Sequence, residues 1–208
     1  MNLFGRKNDS SSAAFKGGGR VEPASVPHRL TVGMARAETL AAMMAHSRAS
    51  NMIEVADLLA GLYISDWERL SQYWAPENQD LVEDFLRRIC GISAQRWNFL
   101  IESYHRQLNG SEKRPLLGRL LAWKKMRTSD QIPRLSASLQ AVFKEAEQVA
   151  PFHDTVEGRT IPILTSECIL LCIARVPDSE IGQKLASTGL DRTKLERDAL
   201  FPKRAPLL

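Results

Sequence analysis

The 208-residue sequence has no run of roughly 18 apolar residues, so no segment reads as a membrane span. It holds only three cysteines, without the spacing of a small disulfide-stapled domain, which points to a reducing compartment. Its opening segment, MNLFGRKNDSSSAAFKGGGR, offers no apolar stretch long enough for a signal-peptide core. The expected location is therefore cytoplasmic, away from any membrane. No GxxxxGK[ST] motif is present, and Gly17–Gly19 lead into Arg20 rather than a strand–helix unit, so an ATP-binding phosphate loop is excluded. GxSxG and HExxH are missing too, and His28, His46, His105 and His153 are scattered. With no nucleophile or acid/base set assembled, the expectation is a protein that is not an enzyme and uses no cofactor or metal.

What is present is the composition of a folded globular chain, 44% hydrophobic and 25% charged. The net charge of +4 is unevenly spread: residues 1–30 carry +3, 31–90 carry −4, 91–128 carry +6 and 129–208 carry −1. The basic character thus belongs to a tail and a central segment. Residues 1–30, rich in Ser, Gly and cations and lacking apolar periodicity, read as a disordered basic tail.

From residue 31 the apolar spacing is helical. Ala37, Leu40, Ala41 and Met44 share one face, and Val55, Leu58, Leu59, Leu62 and Tyr63 another. Ser65 with Glu68 predicts a capping box opening a short helix through Leu70 and Trp74, ended by Pro76. Leu81, Val82, Phe85, Leu86 and Ile89 make the next face, closed by Gly91; Ser93 opens a helix carrying Trp97, Phe99, Ile101 and Tyr104, aromatics expected in the core. Beyond a basic stretch, Leu139, Val142, Phe143 and Ala146 form a helix up to Pro151. A loop with Gly158 and Pro162 follows, then a buried helix over Ile169–Ile173 stopped by Pro177. Asp178 and Asp191 cap the last two helices, with Gly189 between them. No segment alternates long enough for a strand, so the expected fold is all-α.

A weak internal repeat organises these helices. EVADLLAGL (Glu54–Leu62) lies over TSECILLCI (Thr165–Ile173), so Leu58, Leu59 and Leu62 fall on Ile169, Leu170 and Ile173, and Gly61 on Cys172. The expected domain spans 31–203. It comprises repeat one over 31–90, a helical basic connection over 91–131 and repeat two over 132–203. Each repeat is a four-helix unit, too small to bury its apolar faces alone.

Within the second unit, Ser166-Glu167-Cys168-Ile169-Leu170-Leu171, the acidic turn Pro177-Asp178-Ser179 and Thr188-Gly189-Leu190-Asp191 carry a likeness. They resemble the Clp N-terminal (Clp R) double-repeat domain of Clp-type AAA+ chaperones, where a Thr-Glu-His-Leu-Leu-Leu element opens the second helix. The first unit reads Val55-Ala56-Asp57-Leu58-Leu59-Ala60 at the same place. The resemblance implies a protein-recognition module, lacking the ATPase engine, that binds client proteins, an adaptor or the Clp chaperone/protease itself. It also implies that Glu167, beside Ser166, takes an arginine of a client, a carboxylate accepting paired guanidinium N–H groups. Glu167 equally suits a helix's first turn as a charge on the macrodipole. Ala56 removes the counterpart in repeat one; Asp57, one residue on, is the candidate binding carboxylate there, although it faces a different direction on the helix.

Two further groups complete the candidates. Cys168 and Cys172 stand i, i+4 among Ile and Leu and read as core thiols rather than metal ligands. The basic patch Lys113, Arg114, Arg119, Lys124, Lys125 and Arg127 interleaves cations with leucines and Trp123. It supports an alternative function as a nucleic-acid-associated regulator, or a solvated helix packing its leucines on the core.

Overall fold

The computed structural model describes residues 28–109, 133–176 and 180–202. Among the described residues eight α-helices dominate: α1 Val32–Ser47, α2 Val55–Leu70, α3 Gln79–Cys90, α4 Ala94–Asn109, α5 Ala137–Val149, α6 Ser166–Arg175, α7 Glu180–Ser187 and α8 Arg192–Leu200. Between them run five short strands: β1 Arg29–Leu30, β2 Met52–Ile53, β3 Arg134–Leu135, β4 Phe152–Val156 and β5 Arg159–Leu164. The fold is therefore mostly helical but not all-α.

The strands correct the sequence reading, and the reasons are local. The segment taken as a loop after Pro151 is a hairpin of β4 and β5, turning at Glu157 and Gly158, both at positive φ (51° and 76°). Two consecutive left-handed residues make the tight turn that matches strand twist, and a Glu in the first place conceals it. The sequence reading places Pro162 in that loop. Yet β1 reaches only Ile163 and Leu164 of β5, so beside Pro162 one side of β5 is still an edge, where a missing N–H is tolerated. The other strands have two residues each, too few to show a period.

Two parallel pairings set the architecture. Arg29 and Leu30 lie opposite Ile163 and Leu164, while Met52 and Ile53 lie opposite Arg134 and Leu135. Immediately after each pairing the chain enters a capped helix: the Thr31 N–H donates to Leu164 O at 3.1 Å and the Ser136 N–H to Ile53 O at 3.0 Å. Both side chains then cap, Thr31 accepting from the Met34 N–H and Ser136 from the Leu139 N–H. His28 reaches the Glu147 carboxylate at 2.8 Å and stacks on Phe143. Residues 28–30, read as the end of the tail, thus belong to the folded body.

α1 and α2 are the closest-packed helices. A Cβ at Gly61 would lie 2.3 Å from Ala37 O, so only glycine permits this crossing. The predicted faces of α1, α2, α5 and α6 are buried, except for the half-buried Tyr63, in one continuous core that also takes in Trp97 of α4. Tyr63, Trp67, Trp74 and Trp97 form an aromatic chain through that core, with centroids 4.3–5.7 Å apart. Phe99 departs from expectation: it is half-exposed, with the Arg96 guanidinium 5.5 Å from its ring centre. Cys90, Cys168 and Cys172 are buried thiols, Cys90 and Cys172 pushed up to about 12 by burial. Among the described residues no helix is long and apolar enough to cross a membrane.

Candidate functional site

The chain breaks helical geometry once inside α2, at Asp66 (φ −137°, ψ 23°). The sequence places a helix start here, and the break is real, but its chemistry differs. The Ser65 hydroxyl does not cap Glu68; it donates to the carbonyls of Gly61 at 2.8 Å and Gly33 at 3.3 Å. The Tyr104 hydroxyl in turn donates to Ser65 O at 3.2 Å, so α4 braces the kink. Gly33 at the start of α1 lies under the Asp66 carboxylate, which would be 2.7 Å from any Cβ there.

Opposite the kink is the first turn of α6. Thr165 caps it, accepting from the Cys168 N–H at 3.2 Å, and this presents Ser166 and Glu167 toward α2. Glu167 is only 5% exposed, and its Oε1 accepts from the Arg69 Nε–H, one turn past Asp66. Glu167 Oε2, Asp66 Oδ2 and Ser166 Oγ are all buried without a hydrogen-bond partner. Burial pushes the Asp66 carboxyl up, opposed by the nearby Ser166 hydroxyl and the Arg69 and Arg36 guanidinium groups. Burial, together with Glu167 and Asp198, likewise pushes the Tyr73 phenol up. The place is a buried cluster of oxygen atoms short of N–H donors, beside Arg69, whose side chain is 42% exposed.

Asp57 is placed differently. Fully buried, it takes two guanidinium N–H groups of Arg48, the second at 2.8 Å, and its Oδ2 also accepts from the Glu54 N–H at 2.9 Å. Every acceptor direction it needs is used, so it closes the turn between α1 and α2. The structure thus brings Ser166 and Glu167 together and leaves Asp57 apart from them, on Arg48. Sequence reasoning missed Asp66, Arg69 and Arg48, and no motif marks them; the one hint was the break at Ser65-Asp66. The basic patch Lys113, Arg114, Arg119, Lys124, Lys125 and Arg127 and the turn Pro177-Asp178-Ser179 lie outside the described residues.

A concave feature separates α3 from α7. It is an open groove of about 290 Å³ between Leu81, Phe85 and Ile89 on one side and Lys184, Ser187 and Thr188 on the other. Leu81, read as part of a buried face, is 55% exposed at its rim. Among the described residues no group of three His, Cys, Asp or Glu side chains is placed to hold a metal ion. Compared with known proteins, the chain matches no family model and no curated sequence.

Proposed function

We propose that the protein is a non-catalytic recognition module, built as two related helical halves in the manner of the Clp N-terminal domain. Its partners would be client proteins, an adaptor or the Clp chaperone/protease, in the cytoplasm. The two-half reading is supported by the reciprocal strand pairings. The segment before α1 pairs with that before α6, the segment before α5 with that before α2, and the two hydrogen bonds beyond them correspond. Further support is the common order of a buried second helix, a short helical stretch and a last helix in each half.

The observation that carries the recognition reading is the donor-poor cluster of Asp66, Ser166 and Glu167. Two buried carboxylate oxygens, Asp66 Oδ2 and Glu167 Oε2, with only the Ser166 hydroxyl as a neighbouring neutral donor, suit a guanidinium, which supplies several N–H groups from one planar head. Arg69 already holds one Glu167 oxygen, so a client arginine binds beside it or by displacing it. The site is single, because Asp57 is saturated by Arg48.

Titration calorimetry with an arginine-bearing peptide, against its lysine and citrulline versions, tests this reading. The arginine peptide should bind, and Glu167→Gln should weaken it more than tenfold, equivalent to about 1.5–3 kcal/mol for a charge-assisted hydrogen bond. Because Glu167 also anchors Arg69, the variant should melt somewhat lower and is to be assayed well below its transition. Equal binding of the arginine and citrulline peptides, or by wild type and Glu167→Gln, would refute the site.

A further inference from the structure

Two buried carboxylates of the chain each hold one of its own arginines, and the two pairs are not alike. Asp57 is completely buried and filled: Nη1 and Nη2 of Arg48 donate to its two oxygens, and the Glu54 N–H adds a bond to Oδ2. Glu167 lies nearly as deep, with 6% of its side chain exposed, but Arg69 meets it through Nε–H on Oε1, and Oε2 has no partner. The strong form of this pairing lays two parallel N–H groups on the two oxygens of one carboxylate. Arg48 achieves it; Arg69 does not.

The backbone accounts for the difference. Arg48 directly follows α1 and meets a carboxylate nine residues on, across one short turn. Arg69 belongs to the last turn of α2, beyond the non-helical Asp66, and crosses to a helix start 98 residues away in sequence. Its side chain is 42% exposed against 29% for Arg48, so less of its hydration was given up in seating it. Asp66 does not depend on Arg69 alone, because the Arg36 guanidinium also stands near it. Releasing Arg69 to water therefore breaks a single charge-assisted bond, and that bond is the one an incoming guanidinium replaces with two.

We infer that Arg69 is a built-in competitor at the client site: at rest it occupies half of the Glu167 carboxylate, and a partner's arginine displaces it by engaging both oxygens. The inference rests on the recognition reading above and adds the regulation of that site. Net affinity is the difference between a two-bond and a one-bond guanidinium, which keeps binding weak and readily reversed.

Removing the competitor tests this. Arg69→Ala should bind the arginine-bearing peptide about tenfold more tightly than wild type in titration calorimetry, the weight of one charge-assisted hydrogen bond. Arg69→Lys, which keeps a cation but lacks the planar fork, should fall between the two. The vacated carboxylate should also take a small probe. Millimolar ethylguanidinium should raise the melting temperature of Arg69→Ala, and should do so less for wild type and not at all for Arg69→Ala combined with Glu167→Gln. Peptide affinity unchanged or lowered in Arg69→Ala would overturn the inference, because a client arginine would then bind beside Arg69 rather than in its place. A melting temperature of Arg69→Ala indifferent to ethylguanidinium would overturn it too. Should Arg69→Ala fail to fold, Arg69→Lys decides: tighter binding than wild type supports displacement, and equal or weaker binding refutes it. If wild type prefers the arginine peptide to its citrulline version and the Arg69 variants bind it no better, this inference alone falls. If neither wild type nor the variants make that distinction, the recognition reading falls with it.

Discussion

Replacing Gly61 with alanine sets two opposed effects against each other. In the interior of α2 alanine is the better helix former by about 1 kcal/mol, so propensity alone predicts a more stable protein. The added methyl, however, would meet Ala37 O at 2.3 Å, Ala37 C at 3.0 Å and Ala37 Cα at 3.2 Å, all backbone atoms of α1. Backbone cannot turn aside as a side chain can. α1 is held by the Thr31–Leu164 hydrogen bond and by the Asp66 carboxylate over Gly33. Reaching an ordinary contact requires the helix axes to part by roughly an ångström, and overpacking of this kind costs about 1–3 kcal/mol. A cost at the upper end, expected for backbone, leaves a net loss of about 1–2 kcal/mol after the propensity gain. For a chain of this size that is a fall of about 2–8 °C in Tm. Thermal melts and urea titrations followed by circular dichroism measure it, with Gly61→Ser expected to lose more. An unchanged or raised Tm for Gly61→Ala would show that α1 and α2 do not cross at this distance.

Two further expectations concern the kink and the chain's entry into the fold. Burial raises the folded-state pKa of Asp66 above its unfolded value near 3.8, so ionisation opposes folding: the carboxyl's cost is absent below the unfolded pKa and complete once pH passes the folded one. Asp66→Asn should therefore raise Tm at pH 7, and the gain should vanish by about pH 3; a gain independent of pH would refute the assignment. Deleting residues 1–27 should leave Tm unchanged, whereas deleting 1–30 removes β1 and the His28–Glu147 contact and should cost about 1–3 kcal/mol, a fall of several degrees. Equal stability of the two truncations would mean that β1 contributes nothing.

The legible part of the fold was the part governed by local periodicity and punctuation. The faces of α1, α2, α5 and α6, the left-handed Gly91 and Gly189, and the caps Ser93 and Asp191 are where spacing and residue type place them. What escaped is long-range. A two-residue strand has no period, so β1, β2 and β3 exist only because a distant segment lies alongside. Glu157 in a left-handed turn position defeats the residue preferences by which hairpins are read. Leu81 counts as core by spacing but faces a groove whose other wall is more than a hundred residues away. At the site the sequence singled out Glu167 and Asp57 as carboxylates with an affinity for guanidinium groups. It could not indicate that Arg69 and Arg48 of the same chain already supply them, since those pairings are made by the fold.

The crossed parallel pairings carry a consequence for how such a molecule comes apart. Each portion of the chain keeps the entrance strand of the other: β1 precedes α1 but lies on β5, and β3 precedes α5 but lies on β2. A polypeptide cut between residues 110 and 132 would yield two fragments, each with an open strand edge whose natural complement is on the other piece. Such fragments should be poorly stable alone and should reconstitute when co-expressed, which makes the chain a scaffold for split-protein complementation. Two intact copies carry the same complementary edges, so at high concentration they can exchange portions and close into an intertwined dimer.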